Sequence, residues 1–390
     1  MLRRVMMLSL GVLLFGCRMA AQEPIVVGAE QLNTYLPIIA DKRVAIVANQ
    51  TSVVGERHLV DTLLNLGIDI VKVFAPEHGF RGIADAGEHL VNSTDMATGL
   101  QVVSLYGKHR KPTADDMSNI DVVLFDIQDV GVRFYTYIST LHYVMEACAE
   151  NNVPLLLLDR PNPNGFYIDG PILDTTEARS FVGMHPVPLV HGMTIGEYAM
   201  MINGEHWLTN GIMCQLMVVQ CQGYTHQSEY PLPIKPSPNL PTYRSVLLYP
   251  ALGLFEGTFM SMGRGTDFPF EVIGHPDYNI ATFKFTPQSI EGAKYPPYKG
   301  VQCRGYDLRT ISTDSLVQQQ RFCLKWLIDS YNYFMSKPDF FNSFFTRLAG
   351  TSQLRKQIEQ GLTEDAIRES WQSGLEQYRQ MRKKYLLYAE

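Results

Sequence analysis

The 390-residue chain has no G-x-G-x-x-G after its first apolar run and no G-x-x-x-x-G-K-[ST] anywhere. Those patterns let backbone N–H groups cradle a pyrophosphate, so their absence disfavours a nucleotide-dependent reaction. Clustered positive charge is also missing. The longest basic run is Arg382-Lys383-Lys384, and the formal net charge is -6. Nucleic acid is therefore not an expected partner, because phosphate binding needs a basic face. Beyond the N-terminus no apolar stretch reaches the roughly 18 residues of a membrane span. Cysteine is sparse: six residues, none in a C-x2-C spacing, which gives no zinc pattern. Past Cys17 an odd five remain, of which Cys303 and Cys323 are the pair open to bridging. No H-E-x-x-H or comparable fixed metal spacing is present, so neither metal nor cofactor is expected.

What is present begins with a leader. Arg3-Arg4, an apolar run from Val5 to Phe15 and then Gly16-Cys17 describe a secretory signal over residues 1–21. Leu14-Phe15-Gly16-Cys17 also resembles a bacterial lipobox, in which Cys17 becomes the lipidated first residue of the mature chain. Cleavage near Ala20-Ala21 is the alternative. Both readings take the protein out of the cytoplasm, into the periplasm, with the membrane touched only through a lipid at Cys17.

Five short apolar runs follow, each ending in polar residues. Val44–Ala48 meets Asn49-Gln50-Thr51, Ile70–Ala75 meets Pro76-Glu77-His78-Gly79, and Val102–Leu105 meets Tyr106-Gly107. Val122–Phe125 meets Asp126-Ile127-Gln128-Asp129, and Leu155–Leu158 meets Asp159-Arg160-Pro161-Asn162. Unalternating runs of this length read as strands buried on both faces, which implies a parallel sheet. Helical patterns separate them: Glu56–Leu66, Tyr137–Asn151, and one opened by the capping-box spelling Thr194-Ile-Gly-Glu197. A sixth strand is expected over Gln215–Val219. The fold class is α/β: a Rossmann-like, mostly parallel domain over 22–240, then a smaller α+β domain over 245–390. Amphipathic helices are expected over 313–335 and 363–388. Between the two halves lie Pro231, Pro233, Pro236, Pro238 and Pro241, an extended stretch for which an interdomain linker is one reading.

In a parallel sheet, ligands sit beyond the carboxyl ends of the strands. The polar bursts above thus collect on one edge, and an enzyme is the leading reading. Glu77-His78-Gly79-Phe80-Arg81-Gly82 and Asp85-Ala-Gly-Glu88-His89 lie on one long loop, of a length that is usually functional or disordered. Asp126, Asp129, Arg133, Tyr135 and Tyr137 suit a polar, hydroxylated ligand, although Asp126 has the alternative of holding Arg133 in an ion pair. Asp159, Arg160 and Asn162 follow the fifth strand, and His191 precedes the Thr194 helix. Asn49, Gln50, Asn239, Arg264 and Glu271 complete the candidate binding set.

Several of these segments, in order along the chain, resemble the NamZ-type exo-β-N-acetylmuramidases. They are Glu77–Gly82, Asp85–Glu88, DIQDVGVRFYTY (126–137), DRPNPNG (159–165), HGMT (191–194), PSPN (236–239) and GRGTDFPFE (263–271). The resemblance implies a Rossmann-like catalytic domain with an auxiliary domain closing over a cleft. It also implies release of N-acetylmuramic acid (MurNAc) from the non-reducing end of peptidoglycan fragments such as MurNAc-GlcNAc. A non-catalytic muropeptide-binding lipoprotein, or another hydrolase of muramyl sugars, is the competing expectation. Glycoside hydrolysis commonly uses paired carboxylates. From the residues themselves, Glu77 is the expected general acid, because a strand end can aim it. Glu88 is the expected second carboxylate, with Asp126 and Asp129 as alternatives. An arginine among Arg81, Arg133 and Arg264 is expected on the lactyl carboxylate of MurNAc.

Overall fold

A computed structural model describes residues 24–81 and 92–390. Cys17, Asp85, Glu88 and His89 therefore lie outside the described residues.

Among the described residues twelve strands occur in chain order. They are β1 Val44–Ala48, β2 Val53–Val54, β3 Arg57–His58, β4 Ile70–Ala75, β5 Ser93–Thr94, β6 Gln101–Ser104, β7 Val122–Asp126, β8 Leu155–Leu158, β9 Leu216–Val219, β10 Val272–His275, β11 Phe283–Phe285 and β12 Cys303–Asp307. Seven build the main sheet in the order β5-β6-β4-β1-β7-β8-β9. Every pairing in it is parallel except the two-residue edge strand β5, which runs against β6. Without β5 the order is that of a Rossmann sheet: the chain winds outward from β1 through β4 and β6, then returns to wind through β7, β8 and β9. The apolar runs predict this because strands covered by helices on both sides have no solvent face, and all residues of β1, β7 and β8 are buried.

Alternation inside those strands divides the core in two. Ala45, Val47, Phe74, Val123, Phe125, Leu155 and Leu157 point into one cluster. Val44, Ile46, Ala48, Val73, Leu124, Leu156 and Leu158 point into the other. The first cluster is the larger. It holds the helix Tyr137–Glu150 and continues into Phe255, Phe270, Phe345 and Leu348 of the C-terminal half. That half carries the antiparallel sheet β10-β12-β11 and a run of short helices.

Local signals mostly hold. The helix Ile195–Gly204 starts with the reciprocal Thr194–Glu197 capping box. The segment 313–335, expected as one helix, is two, Thr313–Gln319 and Lys325–Tyr333. Gln320 takes a left-handed conformation (φ 46°) that ends the first. The segment 363–388 is likewise divided, into Glu364–Glu369 and Gln372–Arg382. Cys303 and Cys323 are both free thiols, so no disulfide joins them. No helix among the described residues is long and apolar enough to cross a membrane.

Candidate active site

A cavity of about 1040 Å³ opens at the carboxyl edge of the sheet, between it and the C-terminal half. Glu77, His78, Tyr135, Asn239 and Arg264 line it, so five of the residues expected at the site meet there.

Glu77 reaches the cavity because β4 ends at Ala75 and the chain turns at once. His78 and Gly79 follow with φ of 70° and 77°. Gly79 adopts this conformation freely, whereas His78 is a non-glycine residue held in the left-handed region, an arrangement that persists only where the surroundings over-determine it. The carboxylate is gripped from two other strand ends. Tyr106, beyond β6, donates its hydroxyl to Oε1 at 2.9 Å, and Thr136, beyond β7, donates Oγ1 to Oε2 at 2.9 Å. His78 is buried, with Nε2 3.3 Å from Ser237 Oγ.

Ser237 belongs to the proline-rich stretch, which is more than a linker. The carbonyl of Pro236 accepts from Tyr135 Oη at 2.7 Å and from Gln50 Nε2 at 3.1 Å. Asn239 Nδ2 donates to Gly292 O at 2.8 Å. Proline-fixed backbone thus makes one wall of the cavity, tied to both halves of the molecule. Gln50 acts in that wall as a strut, and Tyr137 packs edge-on against Tyr135 with ring centroids 4.8 Å apart.

The other polar strand ends bond chiefly to one another, although Asn49 Nδ2 is buried without a partner among the described residues. Asp126 is fully buried and pairs with Arg160, not with Arg133: Nε to Oδ1 is 2.6 Å and Nη2 to Oδ2 is 2.9 Å. Asn49 Oδ1 accepts from Thr51, and Ser52 Oγ donates to Asp126 O. These bonds close the crevice where the strand order reverses, the place a Rossmann sheet uses for a dinucleotide. Asp159 is buried and accepts from Thr194 Oγ1 at 2.7 Å, Gly196 N at 2.8 Å and Tyr388 Oη at 2.6 Å. Asn162 donates to Met193 O at 2.9 Å.

Arg133, expected as a carboxylate ligand, is instead completely buried. Its guanidinium donates to the carbonyls of Pro171, Val187, Leu348 and Ala349 at 2.6–3.1 Å. It clamps the C-terminal half onto the sheet domain. Arg81 is ion-paired with Asp95 at 2.9 Å and with Asp61 at 3.4 Å, and does not line the cavity. Glu271 accepts from Thr242 Oγ1 and lies 3.7 Å from Arg244, so it too is a strut. Asp129 and His191 are buried 3.8 Å apart, and neither lines the cavity. Burial lifts the Asp129 carboxyl to about 7 and pushes His191 down to about 3.

The cavity also contains charged groups that sequence reasoning passed over. Glu256, from the short turn Gly253–Gly257, faces it and is ion-paired with Arg264. Arg110, Arg179 and Arg347 line it from three separate segments. The only hint in the sequence for Arg110 was its place in the loop that follows a strand end.

The description of exo-β-N-acetylmuramidase NamZ, N-terminal part, matches residues 44–244, and that of its C-terminal part matches residues 247–388. This chain belongs to the NamZ family. A peptidoglycan β-N-acetylmuramidase NamZ of Bacillus subtilis is 40% identical over 381 residues, spanning 92% of this chain and 89% of that one. Two crystal structures of DUF1343-family proteins from Bacteroides fragilis share the fold. One has a TM-score of 0.88 and 46% identity, covering 94% of this chain and 99% of its own. The other has a TM-score of 0.79 and 29% identity, covering 93% and 99%. In NamZ terms, both family halves contribute to the cavity: Glu77, Tyr106 and Thr136 from the first, Glu256, Arg264 and Arg347 from the second.

Proposed function

We infer that this NamZ-family protein is an exo-acting glycosidase that releases MurNAc from the non-reducing end of peptidoglycan fragments such as MurNAc-GlcNAc. Family membership over nearly the whole chain supports the reaction class. The observation that carries the reading to particular residues is Glu77, a carboxylate at a strand end, fixed by two hydroxyls inside a cavity of about 1040 Å³. In this reading Glu77 delivers the proton to the departing sugar oxygen. Glu256 supplies a second carboxylate in the wall, held in place by Arg264, and faces the positive charge that develops on the sugar ring. Tyr135 and Phe134 offer ring faces, and Asn239 an amide, to the sugar.

The N-terminal Arg3-Arg4, apolar run and Cys17 support an extracytoplasmic address, with a lipid at Cys17 as the anchor. That address puts the enzyme beside its polymer.

Purified protein incubated with MurNAc-GlcNAc should yield free MurNAc and GlcNAc, seen by chromatography and mass analysis. Binding of the disaccharide without turnover would favour a muropeptide-binding module instead. Loss of a lactyl or peptide group with the glycosidic bond intact would favour a different hydrolase.

A further inference from the structure

Three of the four arginines in the cavity wall have no carboxylate partner among the described residues. Of the guanidinium groups lining the cavity, that of Arg264 is paired with Glu256. Arg110, Arg179 and Arg347 have no carboxylate partner among the described residues, although each lines the same space. They come from the loop after β6, the segment between β8 and β9, and the helix Phe345–Ala349. Three guanidinium groups in one cavity lining, none with a carboxylate partner among the described residues, outnumber the carboxylates Glu77 and Glu256 there and favour an anionic ligand.

Arg110 is the most prepared of the three. Its guanidinium lies over the Phe181 ring, 4.4 Å from the centroid. Phe181 in turn stacks on Tyr143, with centroids 6.3 Å apart and planes at 16°. This layered arrangement fixes the plane of the guanidinium before any ligand arrives. Its Nε is buried with no hydrogen-bond partner among the described residues. The next residue, Lys111, is ion-paired with Glu146 and Glu150 at 2.7 Å each, so Arg110 alone of the two is left for a ligand. A planar, pre-oriented guanidinium suits a carboxylate, which it can engage with two parallel bonds.

We propose that Arg110, stacked on Phe181 and assisted by Arg179 and Arg347, binds the lactyl carboxylate by which MurNAc differs from GlcNAc. The inference rests on the glycosidase reading for the identity of the sugar. It replaces Arg81 and Arg133, which the fold commits elsewhere, with residues that face the cavity. It makes these arginines specificity determinants, apart from Glu77.

The test is calorimetry on the full chain with the methyl β-glycoside of MurNAc and with its lactyl amide, which has the same bulk and no charge. The wild type should bind the acid at least about 10-fold more tightly than the amide, the scale of a charge-assisted hydrogen bond. Arg110→Ala should bind the two within about 3-fold of each other, and Arg110→Lys should retain part of the preference. Phe181→Leu, which keeps the charge and removes the stack, should narrow the preference as well. Arg179→Ala and Arg347→Ala should each weaken binding of the acid and leave that of the amide unchanged. An undiminished preference in Arg110→Ala overturns the proposal, as does a wild type that binds both ligands equally or neither. Because binding is read without turnover, an intact preference in a protein that hydrolyses nothing overturns the glycosidase reading alone.

Discussion

Thr136 Oγ1 donates to Glu77 Oε2 at 2.9 Å, so the end of β7 holds in place the carboxylate delivered by the end of β4. Two strands that are not neighbours in the sheet meet over one functional group, with β1 between them. Thr136→Val keeps the shape and removes the donor. That bond strengthens as Glu77 gives up its proton and becomes charged, and a hydrogen bond to a charged group is worth about 1.5–3 kcal/mol. We expect kcat on MurNAc-GlcNAc to fall about 10-fold or more with KM near the wild-type value, and Thr136→Ser to restore most of the loss. Steady-state kinetics of the pair checks this; equal kcat for Thr136→Val and wild type contradicts it.

Arg133 makes a different kind of link. Its four carbonyl partners lie on both sides of the junction between the halves. Arg133→Met leaves buried carbonyl oxygens without donors, at about 1–3 kcal/mol for each unsatisfied group. Chemical denaturation should show a loss of about 3 kcal/mol or more, while the fraction still folded keeps its KM. A variant as stable as the wild type would show that the clamp is dispensable.

Asp129 predicts a pH dependence of stability. Burial raises its carboxyl from 3.8 to about 7 in the folded protein. The folded state therefore holds a proton that the unfolded state gives up. This contribution is fully present below pH 3.8 and is lost as pH rises through about 7. Asp129→Asn mimics the protonated form at every pH. The difference in Tm, wild type minus Asp129→Asn, should fall as pH rises from about 4 to about 7 and level off above. A difference that is constant over this range contradicts the assignment.

The sheet was readable in the sequence because burial on both faces leaves an uninterrupted apolar run, and such runs as Val44–Ala48 and Leu155–Leu158 have no helical period. The side of the sheet that carries function was readable for the same reason. Which polar strand ends face the ligand was not. Glu77 and Asp126 look alike in sequence, each an acid just past an apolar run. Only the fold shows that Arg160 neutralises Asp126 while Glu77 opens into the cavity. Thr136 sits between Tyr135 and Tyr137 and was overshadowed by the larger rings. Arg110, Arg179, Glu256 and Arg347 lie in segments of ordinary composition, and nothing local marks their convergence. The proline-rich stretch signals rigidity in sequence, but the tertiary contacts of Pro236 and Asn239 are what make it a wall.

In the proposed reaction Glu77 transfers the proton that releases the departing sugar. Glu77→Gln keeps the shape of the side chain and an acceptor oxygen for one of the two hydroxyls, Tyr106 or Thr136, while abolishing its acid–base function. General acid–base catalysis contributes about 10²–10⁴-fold. On MurNAc-GlcNAc, kcat should fall by at least about 100-fold with binding of the disaccharide preserved. The loss should shrink on a 4-nitrophenyl glycoside of MurNAc, whose leaving group needs little protonation. A Glu77→Gln protein that turns over the natural disaccharide at near wild-type kcat would contradict the account.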